Sequence, residues 1–189
     1  MVSLFNNCSQ NTESGKTKQV TDTIAKPAEP VAKVDIPERE DLLKQIKDSE
    51  KELYAATELN TDKAKKMISL YESFYRNYHN FSECPEYLFK AAELAENIEQ
   101  PYRAIKFYTI CYEDYANFKL SAECLFRMAN LYDFKLNNYI KAKALYMEVK
   151  VKFPKTHWAT DADGAIKMMG KSDSEMIKEF EKKNKKTTK

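Results

Sequence analysis

The sequence predicts an all-α chain in which pairs of helices repeat, and three observations carry that expectation. Glycine occurs only three times in 189 residues, whereas strand-rich folds need turns at short, regular intervals. From residue 38 onward the apolar residues recur at three- and four-residue spacing, as in helices that bury one stripe. A pattern of side chains also returns after 37 and then 38 residues. Met67, Ala104 and Ala142 each precede a tyrosine by four positions, at Tyr71, Tyr108 and Tyr146, and another aromatic follows seven later, at Tyr78, Tyr115 and Phe153.

The first element is not a helix. Residues 1–37 carry balanced charges and three prolines with no sustained apolar period, the composition of a disordered tether. Gly15 to Thr17 reads GKT, but Gln10 stands where a phosphate loop needs its first glycine and no strand precedes it. The opening MVSLFNNCSQN resembles the end of a bacterial lipoprotein signal, with Cys8 as the residue to be lipidated. It departs from that pattern in its missing basic region, its short apolar run and Asn7 before the cysteine; an upstream start codon would supply the missing part. The alternative reading is an ordinary exposed cysteine in a cytosolic tail. Asp22-Thr23-Ile24 resembles an acceptor of a bacterial periplasmic O-glycosylation system, which points toward export.

Residues 38–60 form a first, capping helix outlined by Leu42, Ile46, Leu53 and Tyr54. Residues 61–171 hold the repeats. Their first helix runs from Asp62 to Tyr78, with Thr61 as its cap and Met67, Ile68, Tyr71, Phe74 and Tyr78 on its inner side. Pro85 and Pro101 open the next two, at the position where proline disturbs a helix least. Glu86, Glu123 and Asp161 keep the repeat register, as do Leu94, Leu131 and Met169. Residues 172–189 form a closing helix, begun by a capping box at Ser172 and Glu175, and a basic tail.

On these residues the chain resembles the tetratricopeptide family. The family's small-x-x-x-aromatic-x-x-small helix is matched by Ala104, Tyr108 and Cys111 and again by Ala142, Tyr146 and Val149, with Pro154 at the terminal proline position. The preceding helices match as Leu88, Ala91, Ala92 and Ala95, and as Leu125, Met128, Ala129 and Tyr132; the motif glycine is alanine in both, and one residue is inserted before Ala142. The resemblance covers residues 62–170 and implies an α-α superhelix of about three helix pairs with capping helices at either end. Phe153-Pro154 and the long paired helices are most similar to bacterial periplasmic members, the lipoproteins of the β-barrel-assembly and Tol-coordinator type.

Little in the chain points to chemistry. The two histidines, His79 and His157, each lie just past the end of a predicted helix and beside no nucleophile. His157, Asp161 and Asp163 could share a helix face, but Ser172 stands where a calcium loop needs its late glutamate. Paired carboxylates such as Glu113 and Asp114 fit a solvated face. Cys84, Cys111 and Cys124 have no metal-ligand spacing, and Cys111 and Cys124 read as small core residues. No cofactor and no metal are expected. Residues 38–100 carry 14 acidic and 9 basic side chains, and residues 101–189 carry 11 acidic and 18 basic ones, without the basic stripe of a nucleic-acid binder. No apolar run approaches the length of a membrane span.

The expected partner is therefore a protein or peptide. The family resemblance implies a concave face lined by the first helix of each pair. By position it is built from Glu86, Phe89, Glu93 and Glu96, and then from Glu123, Phe126, Asn130 and Asp133. Members that clamp a terminal carboxylate carry lysine and arginine there, whereas Phe89 and Phe126 stand at a lysine position. An acidic, aromatic face of this kind suits a basic or mixed apolar segment, unless the two phenylalanines are buried between helices. The leading expectation is a non-enzymatic adaptor anchored through Cys8 to the outer membrane and facing the periplasm. The alternatives are a soluble cytosolic scaffold or an accessory subunit of an enzyme complex.

Overall fold

A computed structural model describes residues 38–172 other than residue 116, together with residues 174, 175, 177, 178 and 181. The tether with Cys8 lies outside the described residues, as does most of the closing helix and tail. Among the described residues every regular element is helical. They are α1 (Arg39–Tyr54), α2 (Thr61–Tyr78), α3 (Cys84–Asn97), α4 (Pro101–Asp114), α5 (Ser121–Asn130), α6 (Tyr139–Lys152) and α7 (His157–Met168), with a π-helical turn, Leu131–Lys135, continuing α5. Each helix packs on the next in chain order, and α5 also touches α7.

The start signals act as their chemistry requires, with one correction. Pro85 and Pro101 lie in the first turns of α3 and α4. The cap of α2 is Asn60 rather than Thr61: its side-chain oxygen accepts from the backbone N–H groups of Asp62 at 3.1 Å and Lys63 at 3.0 Å. The capping box forms, Ser172 N–H donating to Glu175 at 2.9 Å and Glu175 N–H to the Ser172 hydroxyl at 3.4 Å. Tyr54 does not join the core; it is 62% exposed.

The repeating residues form the interior. Met67, Tyr71 and Phe74 on α2, Ala104, Tyr108 and Cys111 on α4, and Ala142, Tyr146 and Val149 on α6 are all fully buried. So are Leu88, Ala91, Ala92 and Ala95 of α3 and Leu125 and Ala129 of α5, where alanine lets helices approach and the rings fill the space beyond. Burying each ring contributes roughly 2–3 kcal/mol, provided its hydroxyl finds a partner. Each does so on the preceding odd-numbered helix: Tyr71 donates to Glu50 at 2.6 Å, Tyr108 to Glu96 at 3.2 Å and Tyr146 to Asn130 at 2.5 Å. Cys84, Cys111 and Cys124 are buried free thiols; burial pushes the Cys84 thiol up, and the Cys111 thiol is raised by its hydrogen bond with Cys124 and by burial.

The change of period from 37 to 38 has a structural cause. After α3 the backbone closes with Gln100 N–H bonding to the Ala95 carbonyl at 2.8 Å, five residues back. After α5 the same turn is made by Asn138 N–H bonding to the Tyr132 carbonyl at 2.7 Å, six residues back. The additional residue is taken up as the π-helical turn, in which Leu136 N–H reaches the Leu131 carbonyl at 3.0 Å. Beyond α6 the loop shortens, from residues 115–120 before α5 to residues 153–156 before α7. There Asp161 is exposed and Ala162 is the buried residue of α7.

Candidate partner-binding site

The face formed by the odd-numbered helices begins with alternating charge. Lys90 on α3 reaches back to Glu50 on α1 at 2.6 Å. One period later, Arg127 on α5 reaches back to Glu93 at 3.3 Å and Glu96 at 3.6 Å on α3, while holding Glu123 of its own helix at 2.8 Å. Its guanidinium also lies 5.7 Å from the Phe89 ring centroid, within cation–π range. Burial pushes the Glu93 carboxyl above its ordinary range; Arg127 opposes this, and Glu123 and Glu96 act in the same direction as burial. The three carboxylates are tolerable side by side because one planar cation serves all of them.

The eight residues expected to form one face are thus divided among several environments. Glu86 is exposed in an open cleft and pairs with Lys119 at 2.7 Å. Glu93, Glu96 and Glu123 surround Arg127. Phe89 is only 7% exposed, edge-on to Tyr108 at 5.6 Å and to Phe118 at 6.2 Å, so it belongs to the core and not to a partner-facing wall. Phe126 is half-buried between Tyr146 at 5.5 Å and Trp158 at 4.9 Å. Asn130 takes the Tyr146 hydroxyl, and Asp133 sits on the π-helical turn.

Asp133 differs from every other carboxylate on this face. It is 5% exposed, and its nearest polar partner is the Tyr146 hydroxyl at 3.4 Å, whose single proton is directed to Asn130 at 2.5 Å. Burial raises the Asp133 carboxyl, and the Tyr146 contact works weakly the other way. Asp133 lines a cavity of about 470 Å³ walled by Phe134, Tyr139, Ala165, Met168 and Met169 and closed by Gly170, whose φ of 72° turns the chain after α7. Phe134 and Tyr139 of this lining are exposed, as are Ile140, Met147 and Val151 along α6; the five are half of all the large apolar side chains left in solvent among the described residues.

Sequence reasoning missed Arg127, Lys90 and Phe134. The signal for the first two was the pair of dipeptides Phe89-Lys90 and Phe126-Arg127, 37 residues apart, each a ring followed by a cation. Two candidates end elsewhere: Asp163 is held by Lys150 and Lys167, and His157 opens α7 with its ring 4.3 Å from Trp158. The chain matches no protein-family model and no curated protein.

Proposed function

We propose that this protein is a tetratricopeptide-like adaptor that does no chemistry of its own and captures an extended segment of another protein through its last helix pair. The carrying observation is the exposed apolar cluster of residues 134–151. Ile140, Met147 and Val151 share one face of α6 at 86%, 53% and 78% exposure, opposite its buried Ala142, Tyr146 and Val149. Single apolar residues are normal on a surface, but several on one helix face mark where partners dock. In this reading Cys8 carries a lipid that holds the adaptor at the outer membrane, and residues 9–37 give it reach.

Photo-crosslinking in cells tests the reading. A benzoyl-phenylalanine placed at position 134 or 140 should give a discrete adduct, and one at Tyr54, exposed on α1, should not. Ile140→Asp with Met147→Asp should reduce adduct formation at position 134 by about tenfold while changing stability by less than about 0.5 kcal/mol, as expected for surface substitutions. Equal adducts at all three positions would defeat it. Membrane fractionation of Cys8→Ser tests the anchor, which is wrong if both forms partition alike.

A further inference from the structure

The geometry points to an arginine side chain of the captured segment as the occupant of the cavity beside the π-helical turn, with Asp133 as its counter-ion. This rests on the adaptor reading and names the chemistry of the partner. The protein itself shows what such a position takes. At the preceding junction Glu96, 37 residues before Asp133, has the Arg127 guanidinium at 3.6 Å, and that guanidinium lies over the Phe89 ring.

At the cavity the carboxylate recurs and Lys171 stands in the lining, but no cation pairs with that carboxylate as Arg127 does with Glu96 among the described residues. Apart from His157 at its start, α7 offers one basic side chain, Lys167, which pairs with Asp163. Lys171 at the rim acts on Glu175, and the wall beside Asp133 is made by Ala165, Met168 and Met169. No cationic side chain among the described residues pairs with Asp133. A carboxylate kept in so dry a place with only the long Tyr146 contact is unfavourable, and a guanidinium would repair it. Arginine fits better than lysine: it is planar and weakly hydrated, and it stacks on rings such as Phe134 and Tyr139, which stand exposed at the mouth.

The test uses the full chain with its methionine methyl groups labelled with carbon-13, and the probe is the capped peptide acetyl-Gly-Ala-Leu-Arg-Leu-Ala-Gly-amide. The Met168 and Met169 methyl resonances should shift on titration. The same peptide with citrulline, which keeps the shape and removes the charge, should bind about tenfold more weakly, the usual scale of one charge-assisted hydrogen-bonded pair. Asp133→Asn should lose the preference for arginine over citrulline. Phe134→Ala, which alters a side chain 72% exposed, should weaken the arginine peptide with the fold intact. Equal shifts with both peptides, or none with either, would overturn the assignment, as would N-acetyl-arginine amide binding as tightly as the peptide. Crosslinking at positions 134 and 140 is unaffected by these outcomes, so the cavity assignment and the adaptor reading fail separately.

Discussion

Between α3 and α5 three carboxylates converge on Arg127, whereas between α5 and α7 a single buried carboxylate, Asp133, lines a cavity with Ala165, Met168, Met169 and Lys171 and pairs with no described cation. The apolar frames of the two junctions are alike. Phe89 packs against Tyr108 and Phe118 in one, and Phe126 against Tyr146 and Trp158 in the other. The polar residues are what differ: Asn130 stands one period after Glu93, and α7 brings no counterpart of Arg127. The first junction supplies its own cation. The second leaves a site that one cation from outside would complete.

Removing the cation from the first junction should have the largest effect. In Arg127→Met three half-buried carboxylates lose their shared partner, and we expect a loss of about 2 kcal/mol, less than for a fully buried pair because all four groups are partly solvated. Thermal melting at pH 7 should fall by roughly 4–8 °C. The deficit should shrink as the pH is lowered. The variant raises the Glu93 carboxyl further, and an acid whose folded value is raised regains stability as pH falls through that value. An unchanged melting temperature would mean that the carboxylates do not need Arg127.

Asp133→Asn should act with the opposite sign, by about 1 kcal/mol of added stability at pH 7, because it removes an uncompensated buried charge and keeps a polar group against Tyr146. Burial raises the folded Asp133 carboxyl, so the wild-type protein recovers stability as pH falls through that raised value and toward the unfolded value. The advantage of the variant should therefore be greatest at neutral pH and vanish in acid. Urea denaturation at a series of pH values measures it. A variant less stable than wild type at pH 7 would show that Asp133 already has the partner it needs.

Much of the frame could be read from the chain, and the limits have physical causes. Spacing located Ala104, Tyr108 and Cys111 in the core because helical periodicity puts positions four and seven apart on one face. The family resemblance, carried over by position, placed Phe89 on the concave face. It could not foresee that Phe118, from the irregular stretch before α5, would cover that ring. Counting charges by segment concealed Arg127, since one cation serving three acids vanishes in a sum. The extra residue before Ala142 was countable, but a looser loop would have absorbed it equally well; only the hydrogen bonds show a π-helical turn. Asn60 and Thr61 are both able caps, and the backbone geometry decides between them.

The smallest expected effect tests whether the two junctions share their turn as well as their frame. Glu99 and Asn137 both sit in the left-handed region, at φ 56° and 49°, each just before the residue whose N–H closes the helix end. Glutamate is strained there by its β-carbon, whereas asparagine tolerates the conformation. Glu99→Gly should therefore add about 0.5–1 kcal/mol even after the entropy that glycine gives the unfolded chain. The pair it forfeits, Glu99 with Lys135 at 2.8 Å, is exposed and contributes little. Asn137→Gly should change stability by less than about 0.3 kcal/mol, its relief being nearly cancelled by the same entropy. Equal gains from the two substitutions, measured by denaturation at high salt to suppress the lost pair, would mean that the π-helical turn imposes strain of its own on Asn137. The second junction would then differ from the first in its backbone as well as in its charges.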